Sequence, residues 1–190
     1  SLFVAGVRVT VQGKEHIHSG NCIYVANHAS YVDVVVLCAV LPDPISFVTK
    51  AELKKSKGMR WTLNRVGAVF VERYNMKQSL ADSHALTELA RSGKTLLTFP
   101  EGTFTRRQGL LPFHIGAFMM AVDTGLPIAP ISLRNTRSIL HPDSWIIRGG
   151  KVHVEILPQI EASETQDAPD SWSKAIYLRQ RTRDVILQHC

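Results

Sequence analysis

The segment Asn27-His28-Ala29-Ser30-Tyr31-Val32-Asp33 follows directly on the apolar run Ile23-Tyr24-Val25-Ala26 and sets a histidine and a carboxylate five residues apart. No regular element lets such a pair meet. On an α-helix five positions turn through about 500°, leaving the two side chains roughly 140° apart. On a strand an odd spacing sends them to opposite faces. They can meet only across a bend, so the chain must pass here from one element into another. The flanking patterns agree: a buried-strand run ends at Ala26 and a helical pattern extends from about Tyr31 to Leu41. A histidine held at a strand-to-helix turn and steered by a carboxylate has what a general base for a hydroxyl group needs. A plain capped turn gives the same string, with Asn27 and Ser30 as helix caps, His28 in solvent and Asp33 near the positive helix end. The spacing alone leaves both readings open.

Downstream, apolar strand patterns alternate with helical ones. Strands are expected over Val7–Val11, Cys22–Ala26, Ile45–Val48, Ala68–Val71, Leu96–Phe99 and Ile128–Leu133, and helices over Glu52–Asn64, Met76–Arg91, Ile115–Thr124 and Ser171–Gln188. Ile146-Ile147 and Val152–Leu157 flank Gly149-Gly150 like a hairpin, and Ser163–Asp170 reads as a polar loop. This alternation implies an α/β fold: a single layered domain over residues 1–190 with a mixed, largely parallel sheet flanked by helices. In open α/β sheets, sites lie at the carboxyl ends of strands. His28, Arg73 and Glu101 each follow a predicted strand end and are expected to converge at one edge.

Four ordered blocks carry more information than any one of them. They are His28 with Asp33 (H-x-x-x-x-D); Gly67, Phe70, Glu72 and Arg73 (G-x-x-F-[IV]-[DE]-R); Phe99-Pro100-Glu101-Gly102-Thr103; and Pro127, Ile128 and Pro130 (P-[IV]-x-P). In this order, over roughly Val7 to Leu157, the chain resembles the glycerolipid acyltransferase family, whose best-known members are the lysophosphatidic acid acyltransferases. The resemblance implies transfer of a fatty acyl group from acyl-CoA or acyl-carrier protein to a lysophospholipid hydroxyl, with lysophosphatidic acid as the acceptor. It implies catalytic roles for His28 and Asp33, and substrate binding by Arg73, Glu101, Gly102, Thr103, Lys50 and Arg106. Arg73 is the candidate phosphate clamp, since a guanidinium matches phosphate oxygens bidentately. At the Glu101-Gly102 turn, backbone N–H groups are expected to point outward and Glu101 to meet an acceptor hydroxyl. The chain departs from the family pattern in two places. Phe104 stands where relatives often carry Arg, which transfers the basic role to Arg106 or Arg107 or removes it. His114 stands where relatives often carry Lys.

No G-x-S-x-G elbow is present, which weighs against a serine esterase. A thioesterase using the same base on water, and a non-catalytic lipid- or carrier-binding module, remain as rival readings. His16 and His18 share a face, but no further ligand has metal-site spacing, and neither a metal nor a bound cofactor is expected. Cys22, Cys38 and Cys190 contain no C-x-x-C pair and suit a reducing compartment.

The net charge of +6 points to an anionic partner. Nucleic acid is unsupported, since the aromatics are not interleaved with Lys and Arg. Most of the charge lies between Lys50 and Arg73, where Lys54, Lys55, Lys57, Arg60 and Arg65 join them against Glu52 and Glu72. With Trp61 and Leu63, this stretch fits an anionic membrane surface or an acidic carrier protein. The longest apolar run, Val34–Leu41, is too short to span a bilayer. The chain opens at Ser1 on the apolar Leu2-Phe3-Val4-Ala5. The expectation is a domain from a longer chain, at the cytoplasmic face of a membrane, peripheral or tethered by segments outside it.

Overall fold

The computed structural model describes residues 2–4, 6–17, 20–42, 45–50, 68–71, 85–103, 109–141, 146–165 and 168–190. Strands β1 (Leu2–Val4), β2 (Val7–Gln12), β3 (Ile23–Ala26), β4 (Ile45–Lys50), β5 (Ala68–Val71), β6 (Thr95–Thr98), β7 (Ile128–Arg134) and β8 (Gly150–Ile156) form one sheet, ordered β1-β2-β8-β7-β3-β6-β4-β5. Pairing is parallel except between β1 and β2 and between β7 and β8. The helices are α1 (Val32–Val40), α2 (residues 85–91), α3 (Gly116–Thr124), the single turn α4 (Thr136–Ile139) and α5 (Ser171–Gln188). The α/β class with a mixed, largely parallel sheet is therefore observed.

Strand β3 shows why the sheet carries helices on both faces. All four of its residues are buried, and they divide by parity. Tyr24 and Ala26 join the core under α1, with Leu37, Leu97, Ile131 and Val154. Ile23 and Val25 join the core under α3 and α5, with Leu96, Phe118, Ala175, Leu178 and Ile186. A strand buried on both sides reads as continuous apolar sequence. Parallel partners β6 and β7 flank it, Val25 lying opposite Thr98 and Ala26 opposite Ile131. The carboxyl ends of β3, β6 and β7 thus open at the same edge.

Two expectations are corrected. The hairpin around Gly149-Gly150 does not form. Ile146 and Ile147 lie outside any strand, 70% and 53% exposed, while β8 pairs with β2 and β7. The two glycines permit close packing rather than a turn. A Cβ on Gly149 would stand 3.2 Å from the Gly6 carbonyl oxygen, and one on Gly150 would stand 2.7 Å from Ile139 Cδ1. The stretch expected as the loop Ser163–Asp170 begins with a 3-10 turn, Ala162–Thr165, closed by the Thr165 hydroxyl donating to the Ala162 carbonyl at 2.7 Å. Strand β1 and helix α4, three and four residues long, were not expected. The helix expected over Glu52–Asn64 lies outside the described residues; of that expected over Met76–Arg91, residues 85–91 are described and helical.

Candidate active site

The bend after β3 is built as its spacing requires. His28 Nδ1 lies 2.8 Å from Asp33 Oδ2. The same oxygen accepts the Ala29 N–H at 2.7 Å and the Ser30 N–H at 2.9 Å. Asp33 is fully buried in the first turn of α1 and reaches back over residues not yet helical. It thereby satisfies two N–H groups of the bend that precede the helix. Facing a carboxylate, Nδ1 is the protonated ring nitrogen, which leaves the lone pair on Nε2.

Neighbouring strand ends hold the bend in place. The Asn27 side chain pairs twice with Leu133 at the end of β7, its Nδ2 donating to the carbonyl at 2.9 Å and its Oδ1 accepting the N–H at 2.7 Å. The Ser30 hydroxyl donates to the Leu140 carbonyl at 2.8 Å. Asn27 is not the helix cap that the sequence also allowed, while the Ser30 hydroxyl also accepts the Val32 N–H at 3.3 Å at the start of α1. The His28 ring is stacked on Phe99, with centroids 4.2 Å apart and planes at 21°. Its side chain is 14% exposed rather than solvated.

Glu101 follows β6 and meets the bend. Its Oε1 accepts the His28 N–H at 2.7 Å and its Oε2 accepts the Leu111 N–H at 2.8 Å. Burial pushes its carboxyl above the ordinary range, opposed by the hydrogen bonds from those two amides. Gly102 takes a left-handed φ of 68°, and its N–H turns inward to the Phe99 carbonyl at 2.9 Å. The outward N–H expected there is thus absent at Gly102, because that amide closes the turn.

His28, Asp33, Glu101 and Gly102 come together at this edge, with Thr103 exposed beside them. Arg73, Arg106 and Arg107 lie outside the described residues, as do Phe104 and the basic stretch from residue 51 to 67. Lys50 ends β4, a strand parallel to β6. Asn27 and Phe99 were not expected as site-shaping residues. Their partners lie across the sheet, and only Phe99 had a signal, as part of a block. Among the described residues, no cluster of three or more His, Cys, Asp or Glu suits a metal, and His18 is not among them. Cys22 is buried in the core, its thiol pushed up to about 11 by desolvation, which disfavours a thiolate nucleophile.

Residues 8–134 match the model of the Acyltransferase family. A chloroplastic 1-acyl-sn-glycerol-3-phosphate acyltransferase of Brassica napus is 31% identical over 160 residues, covering 83% of this chain and 46% of that protein. The 1-acyl-sn-glycerol-3-phosphate acyltransferase of Saccharomyces cerevisiae is 29% identical, covering 82% and 52% respectively. This chain therefore spans about half the length of those relatives. The crystal structure of the 1-acyl-sn-glycerophosphate acyltransferase PlsC from Thermotoga maritima superposes with a TM-score of 0.77 at 27% identity, covering 96% of this chain and 70% of that one.

Proposed function

The chain belongs to the Acyltransferase family, and from that premise we propose that it transfers a fatty acyl group from acyl-CoA or acyl-carrier protein to the free hydroxyl of lysophosphatidic acid, giving phosphatidic acid. The observation that carries this reading is the 2.8 Å contact between His28 and Asp33 at the carboxyl end of β3. As the acceptor oxygen attacks the thioester carbonyl, His28 Nε2 takes its proton. Asp33 holds the ring and stabilises the imidazolium, by the logic of the serine-protease triad. Collapse of the tetrahedral intermediate breaks the C–S bond, and the imidazolium returns its proton to the departing thiolate. The substrate's own hydroxyl is the nucleophile, so no acyl-enzyme forms. Atoms and protons balance without a metal or bound cofactor, and the proposal includes neither.

Arg73 is the proposed phosphate clamp, with Lys50, Thr103 and Arg106 as further contacts to the acceptor. The test is turnover of acyl-CoA with and without lysophosphatidic acid. Acceptor-dependent formation of phosphatidic acid is expected. Thioester loss independent of acceptor would make the protein a thioesterase, and no turnover would make it a binding module.

The acceptor resides in membranes, and the proposed working place is the cytoplasmic membrane face. Among the described residues no helix is long and apolar enough to cross a bilayer. The charge between Lys50 and Arg73 supports surface contact, since each engaged Lys or Arg contributes about 1 kcal/mol near anionic lipid. Expected in co-sedimentation is binding to anionic vesicles that weakens with added salt. Charge reversal at Lys54, Lys55 and Lys57 to Glu should abolish it while sparing turnover of a water-soluble acceptor. Salt-insensitive binding would move membrane contact elsewhere.

A further inference from the structure

We infer that Glu101 is a positioning residue rather than a substrate contact: its carboxylate sets the pose of His28 through the backbone and, with its other oxygen, is itself anchored by the Leu111 N–H. The inference rests on the reading of His28 as the base. Each carboxylate oxygen already accepts a backbone N–H, from His28 at 2.7 Å and from Leu111 at 2.8 Å. The residue is only 5% exposed, so little of it remains for a ligand to touch. The turn that carries it is held on both sides, Gly102 N–H donating to the Phe99 carbonyl and His114 N–H to the Pro100 carbonyl. Phe99, at the start of the same turn, is the face on which the His28 ring stacks. Glu101 and Phe99 thus grip His28 by its main chain and by its ring.

The grip matters because the angle and reach of Nε2 follow from the main chain at position 28. A displacement of about 1 Å at a reacting group can cost on the order of 10²-fold in rate. Burying a carboxylate is costly unless it is fully hydrogen-bonded, and the two amides meet that need. A carboxamide does not replace it: its oxygen can accept one N–H, while its NH₂ faces the other donor to donor.

The test compares acyl transfer with thioester hydrolysis in the absence of acceptor, where water takes the place of the hydroxyl before the same base. In Glu101→Gln both rates should fall by a common factor of roughly 10–100, with the acceptor KM within about twofold of the parent. A selective loss of transfer, or a large rise in acceptor KM with hydrolysis intact, would make Glu101 a substrate contact and overturn the inference. His28→Ala, run in parallel, separates the two levels. Loss of both rates there upholds the base whatever Glu101→Gln does. Retained transfer removes the base, and with it the role assigned to Glu101. A measurement on the unaltered protein keeps the clamp testable should Glu101→Gln fail to fold. Titrated by NMR, the His28 and Leu111 amide protons should move together with one midpoint on the raised side of the carboxylate range. Separate midpoints, or no movement at either amide, would refute a shared carboxylate.

Discussion

Turnover of the His28→Ala protein is expected to fall by roughly two to four orders of magnitude, with the affinity for the proposed acyl donor and lysolipid near that of the parent. The fold tolerates the change. Asp33 Oδ2 keeps its two amide donors, and the lost ring contact with Phe99 accounts for about 0.5–1.5 kcal/mol. Steady-state kinetics on variant protein with a parent-like circular dichroism spectrum provide the check. Near-parental turnover in that protein would remove His28 from the chemistry.

Asp33→Ala is expected to be the more damaging substitution, because it acts on stability as well as rate. It strands the Ala29 and Ser30 N–H groups at a part-buried bend. Each unsatisfied donor costs about 1–3 kcal/mol, so the pair removes a large share of the 5–15 kcal/mol typical of a domain. Asp33→Asn divides the two effects. All three donors converge on Oδ2, whereas Oδ1 is buried without a hydrogen-bond partner among the described residues. An amide oxygen at the Oδ2 position keeps the three contacts and loses the charge that steadies the imidazolium, while the NH₂ placed at the Oδ1 position adds a buried donor group that costs about 1–3 kcal/mol. The expected outcome is a fall in the urea midpoint smaller than that of Asp33→Ala, with a fall in turnover of roughly 10²–10³. An unchanged midpoint for Asp33→Ala would contradict the structural half of this account. Full activity for Asp33→Asn would contradict the electrostatic half.

Glu101 also marks a limit on pH. Its carboxyl is raised in the folded protein, so between the ordinary and the raised value the folded state holds more protons than the unfolded one. Its contribution to stability is therefore largest at low pH and declines as pH rises through that window. The ionised form is the one able to accept both amides, so the pose of His28 is best held where this contribution is least.

What could be read from the sequence was local. The strand-to-helix bend was legible because an apolar run changes period within seven residues, and His28 and Asp33 do meet there. The strands β3, β6 and β7 showed as apolar runs bounded by turn residues, since they are buried on both faces, whereas β2 showed by its alternation of buried and exposed residues. Pairing across long separations was not legible. Gly149-Gly150 looked like a turn, because sequence shows small residues but not the Gly6 backbone and Ile139 side chain that pack closely against them. Ile146 and Ile147 looked like strand because they are apolar, yet they stand in solvent. Glu101 looked like a ligand for an acceptor because nothing local announces that its oxygens are occupied by amides 73 and 10 residues away.

The hydrogen bonds around His28 fall into two classes of sequence distance. Those to Asp33 span three to five residues, while those that fix the bend to its neighbours span 73, 106 and 110. Short closures cost little chain entropy, and long ones wait until distant strands have met. The dyad can therefore assemble on a fragment of the chain long before it is aimed at anything. The aim of the pair belongs to the completed sheet: the contacts of the bend with Glu101 and Leu133 exist only where β3 lies between β6 and β7.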